Sequence, residues 1–238
     1  MTLAPDTLDI LRQISTATLS SQLLKKHGMR SRTVQDVRPL VAARSRFVGP
    51  ASTLRYAPAR EDLEAVSSIS HPANPAKALI ETMPSGGVMM IDMQGSLAGG
   101  ALGDVLIARL IARGIAGVVA DGAMRDAGPL SVMAMPVFCR GVTAPPSFNG
   151  LLAIEKNVPI GCGGVLVYPG DIVCADEDGV LVIPTHLADK IARDGLEQEQ
   201  MEAWIKKRIE AGESIEGLYP PSPETMAAFR AANLKQPG

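Results

Sequence analysis

The sequence predicts a single α/β domain in which mixed sheets carry flanking helices. Three observations point there. Apolar residues recur at helical spacing near both ends of the 238-residue chain, and short apolar runs bounded by turn residues lie between them. No internal repeat or low-complexity linker divides the chain.

From the start, Leu8, Leu11, Ile14, Leu19, Leu23 and Leu24 recur at helical spacing over 7–28, with Gly28 as a stop. Ser15, Thr16, Thr18, Ser20 and Ser21 are weak helix formers, so the segment can also divide into two short helices. Segments 46–57 and 86–92 read as strands, the second (Gly-Gly-Val-Met-Met-Ile-Asp) as a buried one. Between them Pro72, Pro75 and Pro84 break a polar stretch that holds a short helix over 74–82. Residues 95–104 form a glycine-rich loop, GSLAGGALGD, and a helix follows over 105–113, closed by Gly114. A buried strand over 115–120 leads to an expected turn at Asp121-Gly122. Pro136, Pro145 and Pro146 then divide strand from loop. Residues 158–184 alternate short strands with turns at Gly163-Gly164, Pro169-Gly170 and Asp178-Gly179. Turns rather than crossover helices in this half argue against a doubly wound parallel sheet. An amphipathic helix over 186–211 completes a domain placed at 1–218. Pro220, Pro221, Pro223 and Pro237 suggest that 219–238 is an extended arm.

Composition narrows the function classes. Hydrophobic residues make up 46% and charged residues 20%, and 23 basic against 25 acidic residues leave a net charge of −2. That balance lacks the basic face a polynucleotide requires. One Trp, three Tyr and four Phe offer few platforms for stacking bases. No apolar run reaches the ~20 residues of a membrane span. Asp6 and Asp9 near the start do not resemble the basic region of a signal peptide, so a cytoplasmic setting is expected. Cys139, Cys162 and Cys174 have no metal-binding spacing and read as small buried residues.

The chemistry-bearing constellation surrounds the glycine-rich loop. A helix over 105–113 carries the chain roughly 14 Å away, and the strand over 115–120 returns it by about 20 Å. Asp104 and the Arg125-Asp126 pair therefore finish at one end of the fold. Gly99, Gly100 and Gly103 free backbone N–H groups at a helix N-terminus, which suits a carboxylate or phosphate. Asp126 or Asp104 could hold a hard divalent cation through oxygen and water. Arg125 is a permanently charged fork that could hold an anion or stabilise an enolate. Each part also has an ordinary use: a tight turn, an N-cap at Asp104, an exposed ion pair. The loop lacks a P-loop lysine and is not Gly-x-Gly-x-x-Gly, so nucleotide binding is disfavoured.

Asp104, twenty intervening residues and Arg125-Asp126, preceded by GGALGD and followed by CRGVTA and IGCGG…VYPGDIVCADEDGVLVIP, resemble one family. It is that of the class II 4-hydroxy-4-methyl-2-oxoglutarate aldolases and the regulator of ribonuclease activity A. The resemblance runs from ISTATLSSQLLKKHG (14–28) through the terminal helix. It implies a swivelling β/β/α fold and a homotrimer or homohexamer.

Regulators of the family commonly lose part of the Asp, Arg, Asp set, and all three residues are present here. The resemblance thus implies a divalent-metal-dependent aldolase that cleaves a 4-hydroxy-2-oxo acid to pyruvate. Oxaloacetate decarboxylation is an expected side activity, because both reactions pass through one enolate. By the same resemblance Asp126 would ligate Mg²⁺ or Mn²⁺, and Asp104 would hold metal-bound water. Arg125 would stabilise the enolate, while the amides of Gly100, Ala101, Leu102 and Gly103 would bind the substrate carboxylate. A glutamate from a neighbouring subunit is also implied, with Glu202 and Glu199 as candidates and Glu197 beside them. The alternatives are a non-catalytic protein that binds and inhibits a ribonuclease, and a metal-dependent hydratase or dehydratase of a sugar-derived 2-oxo acid.

The remaining polar residues read more simply. His27, His71 and His186 suit surface or capping positions. Asp171, Asp176 and Asp178 suit turns. Met89, Met90 and Met93 suit core filling. Segment 55–85 is longer and more charged than expected, so Arg55, Arg60, Glu61 and Asp62 either line a pocket or belong to a surface insertion.

Overall fold

The computed structural model describes residues 3–60, 62 and 71–233. It is a single α/β domain built on one mixed sheet. The strands are β1 (Thr33–Val34), β2 (Arg38–Pro39), β3 (Phe47–Pro58), β4 (Val88–Asp92), β5 (Gly117–Met124) and β6 (Val137–Val142). They continue as β7 (Leu151–Lys156), β8 (Ile160–Cys162), β9 (Val165–Val167), β10 (Ile172–Asp176) and β11 (Gly179–Ile183). The main sheet runs β1-β11-β10-β3-β4-β5-β6-β2, with β7 also paired to β3, while β8 and β9 form a separate hairpin. Among the described strands, β3, β4, β5 and β6 pair in parallel and the other strand pairs are antiparallel. The parallel core uses crossover helices, as such a sheet must.

Those crossovers are α3 (Pro75–Thr82), α4 (Asp104–Ala112) and α5 (Ala127–Val132). They cover one face of the sheet, where Met89 and Ile91 of β4 meet Leu79 and Ile80 of α3 and Ile107 and Leu110 of α4. The opposite face of β4, with Val88 and Met90, packs on the β8–β9 hairpin through Cys162 and Val165. Phe47 and Phe138 meet edge-on in this second cluster at 5.8 Å. A third cluster lies under α1 (Thr7–Leu11), α2 (Thr16–His27) and α6 (Thr185–Glu210). There β10 and β11 alternate strictly: Ile172, Cys174, Leu181 and Ile183 face the helices, while Val173, Val180 and Val182 face the second cluster. Strands covered on both faces read as continuous apolar runs, which is why they were recognisable. All three cysteines are buried and free, and Met89, Met90 and Met93 are fully buried.

The first helical segment does divide in two. Ser15 stands between the helices as the N-cap of α2, its hydroxyl accepting from the N–H of Thr18 at 3.2 Å, and Gly28 ends α2 in the left-handed conformation.

Three expectations are corrected. Asp121-Gly122 is not a turn: β5 runs through it with a register shift against β6 between Ala120 and Ala123. A Cβ at Gly122 would meet the Met93 side chain at 2.6 Å, so its glycine serves close packing. The C-terminal arm is not extended over its described part, because Pro223–Asn233 forms a helix, α7. Pro223 starts it where a missing N–H costs nothing, the Ser222 hydroxyl accepts from the N–H of Thr225, and Phe229 docks on Trp204 of α6. Arg55 does not belong to an insertion, since it lies within β3. Glu61 and residues 63–70 lie outside the described residues.

Candidate active site

The C-terminal ends of β4 and β5 place the site, in the crevice where open α/β sheets bind their ligands. Strand β5 runs directly into Arg125 and Asp126. The loop after β4 lies along the end of β5 and bonds to it: Ala101 N–H donates to Ala123 O at 2.8 Å, and Arg125 N–H to Leu102 O at 3.0 Å. Asp104 opens α4, and its N–H donates to Oδ2 of Asp126 at 3.2 Å. The helix-and-strand spacing therefore does bring Asp104, Arg125 and Asp126 to one end. Gly103 rather than Asp104 is the N-cap, and Asp104 Oδ1 accepts from Val105 N–H at 2.7 Å.

Two glycines make this contact feasible. A Cβ at Gly100 would stand 2.3 Å from Cγ of Arg125, and one at Gly103 would stand 2.2 Å from Oδ2 of Asp126. Asp126 itself adopts φ 57°, a left-handed backbone that non-glycine residues rarely hold. Its carboxylate is thereby placed against the N-terminus of α4, where the helix dipole favours negative charge.

The amides divide into two pairs. Gly100 N–H donates to Pro145 O at 2.9 Å and Ala101 N–H to Ala123 O, so both are already used. Among the described residues, the N–H groups of Leu102 and Gly103 have no protein acceptor. Arg125 is half-buried, and its Nε is buried without a hydrogen-bond partner. An orphaned buried guanidinium nitrogen is costly unless a ligand completes it.

Arg125 lines two cavities. One, of about 450 Å³, is shallow and shared with Asp126, Val142 and Thr143. The other, of about 310 Å³, is bounded by Tyr56, Gly100, Gly103, Val105 and Phe148. The Tyr56 hydroxyl lies 3.5 Å from Ala101 O. Burial pushes its pKa up to about 12, outweighing a hydrogen bond with Ser147, so the phenol is neutral at physiological pH.

Among the described residues, no group of three His, Cys, Asp or Glu side chains could hold a metal ion. The donor set at the site is two carboxylates, Asp104 and Asp126, each with one oxygen that accepts no hydrogen bond among the described residues. All-oxygen donors of this number fit Mg²⁺ or Mn²⁺, which retain several waters, and do not fit a zinc cage.

Glu199 and Glu202 are not brought to this site within one chain. Glu199 Oε1 accepts from the N–H and hydroxyl of Ser15, at 3.0 and 2.7 Å, at the start of α2. Burial raises the Glu199 carboxyl, but the bonds from Ser15 and Thr18 and the charge of Arg46 hold it below the usual range. Glu202 accepts from Gln198 at 2.8 Å and borders a cavity of about 470 Å³ between α2, α6 and the segment before α7. Glu197 stands 3.9 Å from Arg230.

Of the residues set aside, Asp176 ends strand β10 and is buried rather than lying in a turn. Nε2 of His27 is buried without a partner among the described residues, rather than at a surface or cap. Asp176 caps α2 through Thr16 and accepts from Asp178 N–H, and Asp171 accepts from Tyr168 N–H. His71 Nδ1 accepts from Ala73 N–H. Arg55 pairs with Glu155 and Arg60 with Asp62, so neither lines the 310 Å³ cavity. Tyr56 does line it. Its neighbours on that wall, Phe148 and Leu151, come from elements far away in sequence, and no local motif marks them.

A crevice of this construction belongs to an identifiable class. The profile of the RraA-like family, described as Aldolase/RraA, matches residues 12–182, and the chain belongs to that family. It is 36% identical over 179 residues to a protein of Halalkalibacterium halodurans named "Putative 4-hydroxy-4-methyl-2-oxoglutarate aldolase", covering 75% of this chain and 77% of that one. It is 29% identical over 171 residues to protein DlpA of Legionella pneumophila, covering 72% of this chain but 27% of DlpA. The fold superposes on Streptomyces coelicolor RraAS2, described as an unusual member of the RNase ES inhibitor RraA family. The TM-score is 0.79 at 32% identity, with 87% of this chain and all of that chain covered.

Proposed function

We propose that the protein is a divalent-metal-dependent aldolase that cleaves a 4-hydroxy-2-oxo acid, such as 4-hydroxy-4-methyl-2-oxoglutarate, to pyruvate. Decarboxylation of oxaloacetate at the same site is part of the proposal. The observation that carries it is Arg125, whose buried Nε lacks a partner beside two carboxylates and two unoccupied amides. The aldolase relative at 36% identity supports the reaction class.

The chain's residues have separable tasks. The Leu102 and Gly103 amides, at the N-terminus of α4, bind the substrate carboxylate. Asp126, with Asp104, holds Mg²⁺ or Mn²⁺. When bound, the cation supplies Lewis acidity toward the 2-oxo group. Arg125 places its guanidinium where negative charge develops as the C3–C4 bond breaks. The C4 hydroxyl loses its proton and becomes a carbonyl, while the bonding pair enters the pyruvate enolate, which is then protonated at C3. The proton acceptor in this scheme is a glutamate of a neighbouring subunit. Glu202, whose one bond is from Gln198 on its own helix, suits that role better than Glu199, which two bonds from Ser15 tie to the start of α2.

A homotrimer or homohexamer supplies such a neighbour. Exposed Val105, Val142 and Phe148 line the two cavities at Arg125 and support a covered surface there. Light scattering after size-exclusion chromatography checks it; a monomer at assay concentrations contradicts it.

Pyruvate release, followed with lactate dehydrogenase, tests the reaction. Turnover should require Mg²⁺ or Mn²⁺, stop with EDTA and vanish in Asp126→Ala. A second reading, a non-catalytic regulator of a ribonuclease, is favoured by the full-length match to RraAS2. Inhibition of a ribonuclease without turnover of any 2-oxo acid would establish that reading instead.

A further inference from the structure

We propose that the cavity of about 470 Å³ between α2, α6 and the segment before α7 binds a small zwitterion with an apolar body, the chemistry of an apolar α-amino acid. The inference goes beyond the aldolase reading and does not depend on it. The family profile ends at residue 182, so the walls supplied by α6 and the segment after it lie outside the matched stretch.

The floor of the cavity is a row of bonded side chains. Gln22 Nε2 donates to Gln198 Oε1, and Gln198 Nε2 donates to Glu202 Oε1 at 2.8 Å. An ionised carboxylate only accepts, so Glu202 fixes the direction of the row and Gln22 must end it with an oxygen. That oxygen is unsatisfied: Gln22 is 5% exposed, and its Oε1 is buried without a hydrogen-bond partner among the described residues. A buried amide oxygen without a donor is costly, and an N–H group of a ligand would complete it.

Charge narrows the ligand further. Lys26 is ion-paired with Asp194 at 3.1 Å, and Arg230 stands 3.9 Å from Glu197. Among the described residues, Lys25 and Glu202 line the cavity without an oppositely charged partner. Helices α2 and α6 run antiparallel here, since Ser15 meets Glu199 while Lys26 meets Asp194. Lys25 therefore lies one turn from Gln22 in one direction, and Glu202 lies one turn from Gln198 in the other. An ammonium at Gln22 Oε1 has Glu202 on one side, and the adjoining carboxylate points toward Lys25. A cation alone would leave Lys25 facing like charge, and an anion alone would leave Gln22 Oε1 unfilled. Met201, Tyr219, Pro220, Pro221 and Met226 supply an apolar wall for the body. At about 30 Å³ per water-sized group, the cavity holds roughly fifteen non-hydrogen atoms, enough for such an amino acid and a few waters.

Calorimetry on the full chain tests this, with L-leucine as the probe. Because Glu202 is also assigned to the aldolase reaction, the test reads binding rather than turnover. Leucinamide lacks the carboxylate, 4-methylpentanoate lacks the ammonium and L-serine lacks the apolar body. Leucine should bind at least about tenfold more tightly than each of them. In Lys25→Met, leucine and leucinamide should bind alike, and in Gln22→Leu the advantage over 4-methylpentanoate should be lost. Lys25 is exposed, so its variant decides the matter even where Gln22→Leu fails to fold. Arg125→Ala should bind leucine as the wild type does, because the crevice is a separate site. Absence of leucine binding at millimolar concentration, or leucinamide or 4-methylpentanoate binding as tightly as leucine, overturns the assignment. So does undiminished leucine binding in Lys25→Met, or its loss in folded Arg125→Ala.

Discussion

Arg125 illustrates how single residues were legible here and where legibility stopped. Its position beside Asp126 and opposite Asp104 follows from helix rise and strand rise alone. Its buried, unpartnered Nε does not, because that depends on Gly100 admitting its Cγ. Arg125→Ala should lower kcat/KM about 10²–10³-fold, as loss of one transition-state donor usually does, with the far-UV spectrum unchanged. Gly103→Ala tests the close approach itself. A Cβ 2.2 Å from Asp126 Oδ2 must displace the carboxylate, so Mn²⁺ affinity by calorimetry should weaken about 10–100-fold. Tyr56, between Arg55 and Arg60, is marked by its burial, which no local sequence pattern carries. In a spectrophotometric titration one tyrosine should ionise near pH 12 rather than 10, and that step should disappear in Tyr56→Phe.

Elements were read well where pattern and capping agreed. The division between α1 and α2 follows from Ser15, whose hydroxyl both caps α2 and binds Glu199. Ser15→Ala should cost about 1 kcal/mol in denaturant unfolding. Glu199 couples this cap to pH: its folded pKa lies below the ordinary 4.5, so its stabilisation is present above 4.5 and lost as pH falls through the folded value. The stability gap between the wild type and Glu199→Gln should therefore be widest near neutrality and close below about pH 4.5. Where local signals mislead, packing decides. Asp121-Gly122 has turn composition, yet Asp121 is buried in β5, ion-paired to Arg140 and accepting from Gly163 N–H at 2.9 Å. Four prolines suggest an extended tail, but Pro223 occupies the first helical position, which tolerates it.

At the scale of the whole molecule, two groups of helices cover one face of a mixed sheet whose other face packs on the β8–β9 hairpin, and the crevice opens where the parallel strands end. The single α/β domain was legible because strands covered on both faces are plainly apolar. The strand order was not, since β3 pairs with β10 early and β7 late, and only tertiary contacts specify that. Helix α7 closes the far side through Phe229, 3% exposed, against Trp204, over which Arg208 stacks at 4.6 Å. Phe229→Ala should destabilise the protein by about 3 kcal/mol without changing turnover per folded molecule.

The central claim is that Arg125, Asp126 and the loop amides hold a pyruvyl anion and stabilise its enolate. Proton–deuterium exchange at C3 of pyruvate in D₂O, followed by NMR, tests it without reference to the substrate's far end. The account predicts saturable exchange with Mg²⁺ or Mn²⁺ that falls at least about 100-fold in Arg125→Ala and disappears in Asp126→Ala. Exchange at the background rate in the wild type, or undiminished in Arg125→Ala, would contradict it.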